Sequence, residues 1–297
     1  MRRSLQVSLF ILVLGLVIAT YVWQIKRAPV RLRISTTTSL YATGLLEELA
    51  KKFQERKPGV IIEFMPVGSG EALKKAERGD VDMVFVHAPN LEKKYLENGF
   101  LKPGKIFAYN TFVILGPEED PAGIRGRAPV DAMIAIFEAG EAGSAKFVSR
   151  GDNSGTHSRE LWLWSLAGLD PSGKEWYVES GTGMAETLMI ANEYGAYTLS
   201  DIGTYLKLSA ELPYLRPLVT QGSELLNLYS VYIVNPEVVD GVNEELAYEF
   251  QEFVLSDEIQ EFIGSYGVAE FGSPLFHPAY GDPDGSLRKA WVQLAGG

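Results

Sequence analysis

The chain of 297 residues has no cysteine and only three histidines, His87, His157 and His277. Without cysteine there is no disulfide, no thiol nucleophile and none of the commonest zinc cages. The histidines are scattered, with no paired spacing that would hold a metal ion. Basic residues are also short: 27 Lys and Arg stand against 38 Asp and Glu, a formal charge of −11. A nucleic-acid partner wants a basic face, so that class is excluded. The same deficit means that any anion site must be built from local donors, because the field of the whole molecule repels anions. No G-x-x-x-x-G-K-[ST] phosphate loop occurs, and Gly181-Thr182-Gly183 lacks the third glycine of a dinucleotide fingerprint. What is plentiful is apolar material. The chain is 46% hydrophobic, with 14 Phe, 14 Tyr and 5 Trp, enough to build a sizeable core in one large or two medium domains.

The N-terminus speaks to compartment. Met1-Arg2-Arg3 precedes an uncharged apolar run over residues 7–23, and Lys26-Arg27 follows. A basic stretch before an apolar one is the export pattern. There is no small-x-small cleavage site and no cysteine for a lipid anchor. The run is close to the ~17–25 residues of a membrane span, and Tyr21 and Trp23 fall where interfacial aromatics belong. We expect an exported, extracytoplasmic protein that keeps residues 1–28 as a membrane anchor, with removal of that segment as a signal peptide the alternative.

Beyond that segment, strand and helix alternate. Residues 31–35 and 60–65 read as strands, each followed by a Ser/Thr/Gly turn and an amphipathic helix, and a third strand covers 81–86. The class is therefore α/β with a largely parallel sheet. Strands near Thr111 and Val231 bracket a second α/β segment, with helices around 131–139 and after 157 and 184, and a strand over 196–199. This pattern suggests two lobes joined by two crossover strands: lobe I over 29–109 and 226–297, lobe II over 110–225. A cleft between such lobes can close on a ligand by hinge motion.

Three turns stand out at strand ends: Thr36-Thr37-Thr38-Ser39, Val67-Gly68-Ser69-Gly70, and Ser149-Arg150-Gly151-Asp152-Asn153-Ser154-Gly155-Thr156-His157. Each offers hydroxyls and backbone N–H groups at a helix start, where anions are favoured. Ordinary capping would use the same residue types, and in the third turn Asp152 or Asn153 would then be the N-cap.

These turns, together with the run from Asp82 to His87-Ala88-Pro89, the stretch from Gly181 to Leu188 and the stretch from Gly195 to Asp201, resemble the tungstate-binding proteins of ABC importers. The resemblance extends from about Arg31 to the C-terminal helices. It implies a type II periplasmic-binding-protein fold: two α/β lobes, two hinge strands and an oxyanion in the cleft, relayed to a membrane permease and its ATPase. It implies no enzymatic activity and no cofactor, with tungstate or molybdate as the ligand. It places ligand donors at Thr38, Ser69, Arg150 and Thr156, with Thr37, Ser154 and Gly183 as neighbours. Asn153 stands where the pattern has Asp.

The chemistry agrees with that assignment. A tungstate or molybdate ion is a tetrahedral dianion, fully deprotonated near neutral pH, and needs only donors. Arg150 offers a permanent charge and a fork of N–H groups, and the hydroxyls and helix starts complete a shell. A carboxylate facing the ligand would instead favour a protonated oxyanion, so Asp152 opens a phosphate-binding alternative. We expect Asp152 to act as an N-cap or as the partner of Arg150, aimed away from the ligand. A serine hydrolase using Ser154 and His157 is the rival from another class. It is disfavoured because Gly151-Asp152-Asn153-Ser154-Gly155 has one residue too many for a G-x-S-x-G elbow, and residues so close in sequence rarely present triad geometry.

Overall fold

The computed structural model describes residues 29–280, 282 and 284–296. The expected anchor over 1–28 lies outside the described residues. Among the described residues no helix is long and apolar enough to cross a membrane. Lobe I opens with β1 (Val30–Thr37), α1 (Thr38–Ala42), α2 (Leu45–Arg56), β2 (Val60–Val67), α3 (Ser69–Glu77), β3 (Met83–Val86) and α4 (Pro89–Glu97). The long strand β4 (Lys105–Pro117) leads into lobe II, which holds α5 (Pro129–Glu141), β5 (Phe147–Ser149), α6 (Gly155–Leu166), β6 (Tyr177–Glu179), α7 (Met184–Tyr194), β7 (Thr198–Asp201), α8 (Ile202–Leu208) and β8 (Leu215–Val219). The chain returns through β9 (Leu226–Ile233) to α9 (Glu244–Leu255), α10 (Asp257–Ser265), α11 (Val268–Phe271), β10 (His277–Pro278) and α12 (Ser286–Leu294).

In lobe I the strand order is β2-β1-β3-β9-β4-β10. β1 runs parallel to both neighbours, so that Ile34 pairs with Phe64 on one side and Met83 on the other. β9 is antiparallel to β3 and to β4. The sheet is thus mixed rather than largely parallel. One strand carries the chain out of the lobe and the other brings it back, so the two must run in opposite senses.

β4 is the element that spans the molecule. Its first half pairs with β9 from Lys105 to Thr111, and its second half pairs with β7 and β8 from Phe112 to Pro117. At the junction Asn110 sits opposite Asn227. Period-two alternation divides the strands between layers. In β3, Met83 and Phe85 enter a core with Leu32, Ile34 and Phe250, while Val84 and Val86 enter another with Leu73 and Tyr232. Lobe II has its own pair of cores, one around Phe112, Phe147, Trp164 and Trp176, the other around Val113, Val148 and Leu188. Apolar layers on both faces hold each sheet rigid, so the strand ends present their turns to the cleft in fixed positions.

Candidate functional site

Four helices start at the cleft, two from each lobe: α1 and α3 from lobe I, α6 and α7 from lobe II. Thr37 caps α1, its Oγ1 accepting from Leu40 N at 3.3 Å. Gly68 and Gly183 cap α3 and α7 without a side-chain hydrogen bond. Each start exposes unpaired N–H groups and the positive end of a helix dipole.

The turn before α6 differs from the expected cap. Neither Asp152 nor Asn153 but Ser154 is the N-cap, its Oγ accepting from His157 N at 3.2 Å. Gly151 (φ +62°) and Asn153 (φ +56°) are both left-handed, a region that glycine enters freely and asparagine more readily than most residues. Asn153 N–H donates to His157 Nδ1 at 3.0 Å and Ser154 N–H to Asp152 Oδ1 at 3.1 Å. The second Asp152 oxygen accepts from Arg150 Nη2 at 2.5 Å, which makes Asp152 the partner of Arg150. The Arg150 carbonyl is held in turn by Gly181 N at 2.9 Å. The turn is therefore rigid through its own hydrogen bonds.

Arg150 is 2% exposed, and Ser69 and Thr156 are fully buried. Arg150 Nε, Ser69 Oγ and Thr156 Oγ1 nevertheless have no hydrogen-bond partner, and neither does Thr36 Oγ1 on β1. Buried polar atoms are almost always satisfied, so three orphaned donors at the starts of two apposed helices call for an explanation. They flank the line where the lobes meet: a Cβ on Gly68 would lie 3.6 Å from Asp152 O and 3.9 Å from Ser154 Cα. Thr38 stands apart from them. It lines a cavity of about 570 Å³ at the cleft, in which Ser39 and Ala42 share the walls with Thr182, Gly183 and Met184 of lobe II. Ser69, Arg150 and Thr156 do not line this cavity. The structure thus sets Thr38 and Gly183 in a vestibule and the three orphans in the buried seam. Thr37 and Ser154 are engaged as caps.

A buried polar row runs from the hinge to this site. Asn110 Nδ2 donates to Leu275 O at 3.1 Å, and Asn227 Nδ2 donates to Asn110 Oδ1 at 2.9 Å. Asn227 Oδ1 consequently faces His87 Nδ1 at 2.9 Å, and that nitrogen must carry the proton. His87 Nε2 then accepts from Ser39 Oγ at 3.3 Å. Burial, with the positive charges of Arg150 and Arg159 nearby, lowers the pKa of His87 to about 4 against the pull of the Asn227 bond. The imidazole is neutral at physiological pH. His87 is a structural hub in the short link between β3 and α4.

Two acids lie behind the donors. Burial pushes Glu160 up to about 7, although Tyr177, Ser149 and Trp164 hydrogen-bond to it. Burial also raises Asp201, opposed by its bonds from Thr204 and by the Arg150 charge. Ser154 and His157 form no nucleophile–base pair: the serine oxygen accepts from the histidine backbone, and the ring nitrogen Nδ1 accepts from Asn153 N–H. The sequence places His87 and Asp201 in resembling stretches without giving either a role, and it passes over Arg159. Arg159 leaves no mark there, standing among Thr156, His157, Ser158 and Glu160 in the polar first half of its helix.

Comparison with known proteins fits this geometry. Residues 26–258 match the PBP superfamily domain. The chain is 38% identical over 245 residues to the tungstate-binding protein TupA of Peptoclostridium acidaminophilum, covering 82% of this chain and 84% of that protein. It is 34% identical over 238 residues to TupA of Campylobacter jejuni, covering 79% and 86%. Among solved structures, the tungstate-binding protein TupA of Desulfovibrio alaskensis is similar at 40% identity and a TM-score of 0.72, over 84% of this chain and 98% of that one. With its two lobes, its hinge strands and relatives this close over most of their length, the chain belongs to the PBP superfamily and, within it, to the TupA family of tungstate-binding proteins.

Proposed function

We propose that this chain is the extracytoplasmic substrate-binding protein of an ABC importer, capturing tungstate, and molybdate with it, between its lobes and passing it to a permease and ATPase. The observation that carries this reading is the trio of orphaned donors, Ser69 Oγ, Arg150 Nε and Thr156 Oγ1, drawn from both sides of the cleft. A fully deprotonated tetrahedral dianion needs donors alone. Thr38 and the Gly183 backbone would meet it on entry, with Thr37 and Ser154 holding the helix starts. The lobes in this reading are residues 29–109 with 226–297 and residues 110–225, and residues 1–28 tether the protein to the membrane.

The phosphate alternative needs an acceptor for the ligand's proton. Both Asp152 oxygens already accept hydrogen bonds, from Arg150 and from Ser154 N, and those of Asp201 accept from Thr204, so neither carboxylate is set aside for it. Relatives named as tungstate-binding proteins favour the same choice.

The test is competitive calorimetry with tungstate, molybdate, sulfate and phosphate on the wild type and on Arg150→Ala. Tungstate and molybdate should bind and phosphate should give no heat. Arg150→Ala should abolish binding while leaving the fold intact, since a buried charge-assisted hydrogen bond is worth ~1.5–3 kcal/mol before the cost of a stranded anion. Phosphate binding without tungstate heat would overturn the proposal.

A further inference from the structure

Among the described residues Arg159 is a buried cation without a counter-charge. Its residue is 6% exposed. Nη1 donates to the Glu224 carbonyl at 2.7 Å, and the guanidinium lies over the rings of Phe112 and Trp162, at 5.3 and 5.1 Å from their centroids. Among the described residues no carboxylate lies within ion-pair distance of it. Burial lowers its pKa, to about 9, and no acidic neighbour opposes the shift, yet it stays charged at neutral pH. Buried charges are normally paired, because an unpaired one is costly.

The position of this charge is informative. Arg159 is on α6, three residues and roughly 4.5 Å of helix rise beyond Thr156. It influences His87 together with Arg150, and His87 packs on Gly155 at the first turn of the same helix. The oxyanion reading leaves a deficit close by. Arg150 is the only formal cation offered to a dianion, and Asp152 already draws on it.

We propose that Arg159 supplies the second positive charge for a bound dianion, acting through the field rather than by contact, and so sets the preference of the site for dianions over monoanions of the same shape. The inference rests on the oxyanion reading above. By Coulomb's law at the effective dielectric of ~20 that suits protein interiors, a unit charge roughly 10 Å from a dianion would be worth on the order of a hundredfold or more in affinity. The contribution scales with ligand charge. A monoanion of equal size should therefore lose only the square root of the factor that the dianion loses when Arg159 is neutralised.

Perrhenate provides that comparison, being a tetrahedral monoanion close to tungstate in size and shape. Titrations of tungstate and perrhenate in chloride-free buffer would be run on the wild type, Arg159→Met and Arg159→Lys, with thermal unfolding to confirm the fold of each. Arg159→Met should weaken tungstate tenfold or more and perrhenate by about the square root of that loss. Arg159→Lys should recover most of the tungstate affinity. Equal losses for the two anions, or a Lys variant as weak as Met, would show that the side chain matters only for packing and would overturn the inference. If perrhenate binds too weakly to titrate, the Lys-against-Met comparison decides alone. A wild type that binds no tungstate would instead bring down the oxyanion reading, and this inference with it.

Discussion

At the scale of single residues, the site is marked by what its side chains leave undone. A buried hydroxyl without a partner costs the folded protein about 1–3 kcal/mol, so a donor kept for a ligand should trade stability for affinity. Thr156 Oγ1 and Ser69 Oγ are both orphaned. We expect Thr156→Val and Ser69→Ala to unfold at the same or a higher temperature than the wild type without ligand, yet to bind tungstate about ten- to a hundredfold more weakly, as the loss of one hydrogen bond to a charged group implies. A variant that lost stability and kept its affinity would remove that residue from the ligand shell. Glu160 allows a second test, of pH dependence. Its folded pKa is raised from 4.5 to about 7 by burial, so between those values the folded state holds a proton that the unfolded state has released. Stability must then fall as pH rises through this window, by up to about 3 kcal/mol for a shift of this size. Melting temperatures from pH 5 to pH 8 should show that decline in the wild type, and Glu160→Gln should flatten it. An equal slope in both proteins would assign the titration elsewhere.

At the scale of elements, closure depends on glycines where helix starts meet. A Cβ at Gly155 would sit 3.0 Å from both His87 Cε1 and the His87 carbonyl oxygen, whereas one at Gly68 meets nothing closer than 3.6 Å. Gly155→Ala should therefore resist closure and lower tungstate affinity severalfold, with a larger radius of gyration by small-angle scattering, while Gly68→Ala should match the wild type. Indistinguishable scattering and affinity in the two variants would show that this contact does not govern closure. The helix starts themselves were legible in the sequence, because Thr, Ser and Gly at strand ends are read locally. So was the division around two long strands. Other elements were hidden by their composition. β8 carries Pro217 in a strand paired along one stretch of β4, and a proline argues against a strand when only the sequence is read. α12 follows a stretch rich in Gly, Pro and Asp that suggests only loop. The row from the hinge to Ser39 could not be read at all. His87 meets Asn227 across 140 residues and Asn227 meets Asn110 across 117, and nothing local in a sequence marks such partners. The Ser154 cap was misassigned for a subtler reason: Asp152, Asn153 and Ser154 are all good caps, and the left-handed Gly151 and Asn153 decide among them.

At the scale of the whole molecule, the site works against its surroundings. The chain carries a formal charge of −11, and the segment before residue 29 contributes four basic residues and no acidic one, so the lobes are more acidic still. A dianion approaching them is repelled until it reaches the cleft, where helix starts and Arg150 take over. Affinity of this kind must come from slow release rather than fast capture. The repulsion is long-ranged and screened by salt, with a Debye length of about 30 Å at 0.01 M and about 8 Å at 0.15 M, whereas buried donors are screened much less. Raising sodium chloride between those limits should therefore speed tungstate association severalfold and leave dissociation almost unchanged, the reverse of the slowing seen when a protein steers its ligand. Stopped-flow tryptophan fluorescence is suited to the measurement, since Trp162 lies against Arg159, whose guanidinium also covers Phe112 of β4. Association that slowed with salt would mean that the mouth of the cleft presents a positive field strong enough to outweigh the net charge, and that capture is steered after all.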